Sequence, residues 1–255
     1  MLFDLTHILY MVISAIVSGG VLTLVAFLLN GKEKKELFLK WVAIITVILH
    51  YSNIWVQYFG NGGSTDGLEG SHLFPIYPCH IMMWLLFIAS FIKNKEGTLF
   101  TMLAEFCFWS GIICGSIGII LNENYANTPS LADWGVLKGL LSHSTLIIGC
   151  IYMRVGGFIK IRVFNVLSVA AGLCVFLADG IFANWLYKVC GLPEVNAMYL
   201  LYSPYPSVPW LSPMLMGVVA CTILFIVLAL YELHFPEEER WYNKAKEKIR
   251  QLKDS

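Results

Sequence analysis

"FPIYPCHIMMWLLFIASFIK", Phe74 to Lys93, runs apolar for most of its length and carries two prolines at its start. A thiol and an imidazole, Cys79 and His80, stand side by side just after the second proline. Such a stretch reads as a helix that enters a membrane. The rest of the chain repeats the pattern. Of its 255 residues, 58% are hydrophobic and 13% charged, where a soluble domain carries about 25% charged residues. The apolar residues fall in blocks of about 20, each long enough to cross the ~30 Å hydrocarbon layer as a helix.

Seven blocks are legible: Ile8 to Asn30, Leu37 to Phe59, Pro75 to Ile92, Gly97 to Leu121, Val136 to Met153, Phe164 to Tyr187 and Pro213 to His234. The first lacks a preceding basic region and is longer than a signal-peptide core, so it reads as retained. The sequence therefore predicts an all-α integral membrane protein, a bundle of seven transmembrane helices spanning residues 1–235, followed by a charged helical tail at 236–255. The basic residues set the expected orientation. Fifteen of the 17 fall in the first, third and fifth connections and the tail, leaving Lys138 and Lys188 on the other side. The positive-inside rule puts the N-terminus outside and the C-terminus in the cytoplasm of a multi-pass cell-membrane protein. No nucleic-acid partner is expected, and the sequence is silent on oligomeric state.

Ionisable residues inside a membrane are costly and mark candidate sites. Helical rise places Cys79 and His80 about 6–8 Å below the outer end of the third span and His143 roughly 10 Å below that of the fifth. Asp179 and Asn184 fall about 12 Å and 5 Å below the outer end of the sixth, and His50 about 14 Å below that of the second. His50, Asn53 and Gln57, spaced three and four apart, share one helix face. With His7 and His72, five of the six histidines lie in the outer half. Glu105 is the exception, nearer the inner side, and is read as structural: protonated, or paired with an inner Lys or Arg.

Other segments read more plainly. Gly111 and Gly115 form a small-xxx-small packing face. The stretch "GLPEVNAMYLLYSPYPSVPW", with four prolines, cannot be a regular span, and its aromatics favour the headgroup region. It is expected to lie across the bundle mouth as a lid or a lipid-contacting rim. The tail reads as a helix with Pro236 at its start and acids in its first turn.

Cys79 admits three readings. It is bridged to Cys190 on the same outer side; it is an inert buried thiol; or it is a reactive thiolate, favoured by a helix N-terminus and a neighbouring imidazole. Adjacent helical residues point about 100° apart, so His143 competes with His80 as the base. Cys107, Cys114, Cys150, Cys174 and Cys221 are read as core. Three functions follow. One is acyl transfer through a Cys79 thioester. Another is zinc hydrolysis through His50, His143, Asp179 and His80, which the lack of paired ligands at helical spacing counts against. The last is a non-enzymatic lipid or small-molecule binding protein or transporter.

The segments "LHYSNIWVQYF", "YPCH", "FWSGIICGSIGIIL", "LLSHSTLIIGCIYM", "GIFANWLY" and "SPYPSVPW" together resemble the YwaF-like integral membrane proteins of bacteria, whose eukaryotic relatives are the transmembrane protein 164 group. The resemblance runs from the second span to the last, and the Pro-Cys-His element is its most telling part. It implies phospholipid acyl transfer without acyl-CoA, with Cys79 as nucleophile, His80 as its motif partner and His143 matching the histidine of the fifth span. Asn184, in "FANW", matches the Asn of a Gly-Ser-Asn-Tyr-like element. The chain departs at "HYSN", where many bacterial members carry an acidic residue. The expected site is thus Cys79, His143 and His80 as catalytic residues, with His50, Asn53, Asp179 and Asn184 binding substrate and no metal or other cofactor. A membrane phospholipid is the expected acyl donor, and a lysolipid, glycolipid or lipoprotein amine the acceptor.

Overall fold

The computed structural model describes residues 2–60, 62–64, 74–203, 208 and 212–253. Among these, every regular element is helical. The order is α1 (Leu5–Leu28), α2 (Lys32–Gly60), α3 (Pro78–Phe91), α4 (Thr98–Phe106), a π-helical turn (Cys107–Gly111), α5 (Ile112–Ile120), α6 (Glu123–Asn127), α7 (Trp134–Val155), α8 (Asn165–Val189), α9 (Pro213–Glu232) and α10 (Trp241–Lys253). Six of the helices are long and apolar enough to cross a membrane: α1, α2, the continuous Thr98–Asn127 stretch, α7, α8 and α9.

The third block differs from its expected form. Only 14 of its residues, Pro78–Phe91, are helical, which gives a length of about 21 Å against the ~30 Å layer. Proline disfavours the α region for the residue before it, and Tyr77, ahead of Pro78, is extended at φ −113° and ψ 150°. Pro78 itself fits the first helical position, where its missing N–H is no loss. At the far end, the Lys95 ammonium donates to the carbonyls of Ala89 and Ser90, both at 2.8 Å, and closes the helix. Lys95 also lies over the Phe100 ring at 4.6 Å. Burial pulls its ammonium down to about 8, with Glu36 opposing and Lys40 adding to the shift.

Helix starts follow the sequence closely. Asp4, Asn122, Asp133 and Ser212 each accept a backbone N–H of the first turn of α1, α6, α7 and α9, the N-cap arrangement these short polar side chains favour. Asp4 also accepts from the Tyr125 hydroxyl at 2.7 Å. His7 is fully buried, receiving Phe3 N–H at Nδ1 and donating from Nε2 to the Ile119 carbonyl at 2.9 Å. This clasp fixes α1 to the end of α5, so His7 is a structural residue. His72 lies outside the described residues.

The bundle turns its apolar side chains outward. On α1 and α9, Ile16, Phe27, Val218 and Leu230 are among many large hydrophobics left exposed, a surface suited to hydrocarbon. The centre is α7, which packs against α1, α2, α3, α5 and α6. Small residues let α5 and the π-turn approach it closely. A Cβ on Gly111 would stand 2.3 Å from Cys150 Sγ, and one on Gly115 would stand 2.6 Å from Ile147 Cγ1. Gly111 and Gly115 are therefore the expected packing face, and Gly118 extends it. Cys107 and Cys150 are buried as expected, Cys114 and Cys221 are half-buried, and Cys174 is exposed.

Two other elements depart from expectation. Glu105 pairs with no Lys or Arg among the described residues; its carboxylate accepts from Ser168 at 2.5 Å and ties α4 to α8. The tail helix begins at Trp241, because Glu237–Glu239 after Pro236 form a separate 3-10 turn. Buried Glu232 accepts from Val163 N and Trp241 N, both at 2.7 Å, so the end of α9 caps the tail helix.

Candidate functional site

The predicted residues divide into two groups. His50 and Asn53 on α2, Cys79 and His80 on α3, and His143 on α7 gather where these helices and α5 meet. Asp179 and Asn184 lie on α8, which packs against α4 and α9.

The first group is built around the start of α3. The His50 and His80 rings are 4.2 Å apart between centroids, and Tyr77 meets His80 edge-on at 5.2 Å. Cys79 is a half-buried free thiol, and Cys190 is free and exposed, so the two are not bridged. The Cys79 sulphur lies within reach of the backbone N–H groups of Cys79 and His80. His80 N–H also donates to Tyr77 O at 3.0 Å. Cys79 stands within electrostatic range of Cys114 on α5 and of Lys138 on α7.

His143 is buried at the same junction. Its Nδ1 lies 2.6 Å from the Gly139 carbonyl. A carbonyl only accepts, so Nδ1 carries the proton and Nε2 presents a bare lone pair. Nε2 is buried with no hydrogen-bond partner among the described residues. The ring rests on Gly118, where a Cβ would fall 2.1 Å from Cδ2 and 2.2 Å from Nε2. Gly118 and Cys114 are four apart and share a face of α5. Thus Cys79 and His143 reach one junction through Cys114, Gly118 and Lys138.

Lys138 is the residue the sequence reading missed. The sequence counts it only as an outer-side charge at the start of the fifth block, yet it sits in the second turn of α7, is 5% exposed, and donates to the His50 carbonyl at 3.4 Å. The signal was available in Asp133, whose side chain accepts Val136 N–H at 2.9 Å. An Asp N-cap starts the helix early enough to carry Lys138 inside. Asn53 also faces this start of α7, with its Oδ1 3.9 Å from where a Gly135 Cβ would be.

The α8 group supports the site from outside. Asn184 accepts Ala197 N–H at 2.9 Å and returns its own amide to Ala197 O at 3.5 Å. Its side chain is engaged with a strap at 195–200. Met198 N–H donates to Ile76 O at 2.8 Å, which joins the strap to the extended segment before α3. Gly180 allows the approach, since a Cβ there would meet Leu200 at 2.6 Å and Met198 at 2.9 Å. Met198 and Tyr199 hold φ of +52° and +56°, strained for non-glycine residues. Part of the stretch expected to form a lid or a lipid-contacting rim is thereby located; residues 204–207 and 209–211 lie outside the described residues. Asp179 is half-buried with Oδ2 unpartnered among the described residues. No three His, Cys, Asp or Glu side chains among the described residues converge to hold a metal ion.

These features define a multi-pass helical membrane protein with a cysteine, histidines and a lysine gathered at one end of its bundle. The chain belongs to the TMEM164 family, whose profile matches residues 2–231. No curated protein and no solved structure shows significant similarity to it.

Proposed function

We propose that the protein is a CoA-independent lipid acyltransferase of the cell membrane, with Cys79 as nucleophile and His143 as base on the extracytoplasmic side. One observation carries the reading: a buried, acceptor-only His143 Nε2 lies at the same helix junction as a free thiol in the first turn of a helix. The basic asymmetry supports the outward orientation. An outward site has no supply of acyl-CoA, so a phospholipid is the donor.

In the proposed step His143 Nε2 takes the Cys79 proton and Sγ adds to the ester carbonyl carbon. The carbonyl electron pair moves onto oxygen and then returns as the ester C–O bond breaks. The departing lysolipid alkoxide takes the proton from His143, leaving a thioester. A hydroxyl or amine acceptor reverses these roles. Pro78 has no N–H, so the backbone donors nearest the oxyanion are those of Cys79 and His80. Each well-placed donor is worth about 3–4 kcal/mol in such sites. His50, Asn53 and His80 wall the site, and Asn184 acts through the strap.

Purified protein in phospholipid vesicles is expected to carry a hydroxylamine-labile acyl chain on Cys79. Cys79→Ser abolishes it, and His143→Ala slows its formation while the protein elutes from gel filtration as wild type does. Lipid exchange at the wild-type rate in Cys79→Ser would refute the proposal.

A further inference from the structure

The step above leaves one buried charge unused. Lys138 is 5% exposed, and the ion pairs among the described residues are Lys32–Glu96 and Arg162–Glu239. Among the described residues no carboxylate forms an ion pair with Lys138. Asp133, the nearest acid along α7, is turned to the helix start as its cap. Of three possible donor hydrogens, Lys138 uses one, in a long 3.4 Å bond to the His50 carbonyl. An ammonium taken out of water without a counter-charge is strongly unfavourable. A group at this junction that carries negative charge would offset that cost.

The geometry indicates which. Lys138 is bonded to the backbone of His50, whose ring meets that of His80 at a 57° tilt with centroids 4.2 Å apart, next to Cys79. Lys138 and Cys79 each fall within electrostatic range of the other, although they lie on different helices. We propose that Lys138 is the counter-cation of Cys79: its ammonium faces the negative charge of the thiolate. Resting on the acyl-transfer reading, it also faces the oxyanion formed when the thiolate adds to an ester. The histidines are then left to move protons and the lysine to hold charge.

A comparison of two alkylating reagents tests this without relying on turnover. Iodoacetate is anionic and iodoacetamide neutral, yet both attack the same thiolate and are of similar size. Their rate ratio at one cysteine therefore reports the local charge and cancels access. Full-length protein in detergent is treated with each, and modification of Cys79 and of exposed Cys190 is followed by peptide mass spectrometry. Lys138→Met is expected to lower the iodoacetate-to-iodoacetamide ratio at Cys79 by about tenfold, the order expected for one charge pair at a protein's effective dielectric after solvent screening. Lys138→Arg keeps the ratio, and Cys190 shows no change in either variant. A packing role for Lys138 would change both rates together and leave the ratio alone. An unchanged ratio at Cys79 in Lys138→Met overturns the proposal, as does a Cys79 that neither reagent modifies. If Lys138→Met does not fold, loss of the ratio in folded Lys138→Arg overturns it. A ratio that responds to Lys138 while no acyl-enzyme forms keeps this pairing and removes the acyl-transfer reading; an acyl-enzyme with an indifferent ratio does the reverse.

Discussion

Replacing Gly118 with alanine puts one methyl group against the proposed base. The new Cβ would fall 2.1 Å from His143 Cδ2, 2.2 Å from Nε2 and 2.8 Å from Cγ. The ring is flat and rigid, and its far side is held by the 2.6 Å bond from Nδ1 to Gly139 O. It must move by more than an ångström, and the bond is lost as it moves. Overpacking of this kind costs about 1–3 kcal/mol, and the lost bond adds roughly 0.5–1.5 kcal/mol. For a chain of this size each kcal/mol lowers the thermal midpoint by about 2–4 °C. Gly172→Ala is the matched control: its Cβ falls 2.2 Å from the Phe106 ring, between α4 and α8, away from the site. Both variants lose stability, but only Gly118→Ala also slows acylation of Cys79 per folded molecule. A double-mutant cycle sharpens the point. In a His143→Ala background the Gly118 methyl meets space, so Gly118→Ala costs much less there, with a coupling of about 1–3 kcal/mol. The assay is thermal denaturation in detergent of wild type, both single variants and the double. Additive losses would refute the placement of His143 against Gly118.

Two further outcomes are expected. Asn184→Ala leaves Ala197 N–H without its acceptor, at a cost of about 1–3 kcal/mol; the strap at 195–200 is then cleaved faster in limited proteolysis, and a wild-type cleavage rate would count against the strap's anchoring. Lys95 has a folded value of about 8, below its ordinary 10.5, so between these limits the unfolded chain binds more protons and stability rises with pH. The penalty is full below about 8 and is relieved above 10.5. Denaturation midpoints of wild type and Lys95→Gln are expected to separate across that window in favour of wild type, and parallel profiles would show that Lys95 does not titrate there.

The fold was legible because hydrocarbon thickness imposes a length on each apolar run, and six runs became helices of spanning length. What periodicity could not supply was local irregularity. The π-turn at Cys107–Gly111 leaves no mark in an apolar run, because all its side chains suit either helix type. The short α3 was hinted at by Pro78, but an apolar "FPIY" reads as span in any hydropathy count. For the site, residue type identified Cys79, His80, His50, Asn53 and His143 as candidates, and α2, α3 and α7 bring them together. Asp179 and Asn184 looked equivalent by depth alone. Depth fixes one coordinate, and only tertiary packing shows that α8 turns Asn184 to the strap. Lys138 was hidden by the same limit, because a lysine near a span's end is counted for its side of the membrane, and depth alone does not show whether it is turned into the bundle.

The shortness of α3 and the presence of the strap have one cause. A helix of 14 residues is too short for the ~30 Å layer on its own, and if this segment spans, non-helical backbone before Pro78 must cross the rest. Unpaired N–H and C=O groups at that depth cost several kcal/mol each. The strap answers this demand: Met198 N–H takes the Ile76 carbonyl, and Asn184 holds Ala197 in the position that makes this possible. Ile76, Ala183, Tyr187 and Ala197 then close a small apolar cluster behind it. In the proposed outward orientation, the helix start, with its thiol and first backbone N–H groups, lies below the outer membrane boundary. A full-length span would have carried Cys79 up to the surface, or buried it in a continuous helix with no free N–H beside it. For the proposed acyl transfer, satisfying the backbone of an incomplete helix and placing Cys79 at lipid-ester depth become the same structural requirement.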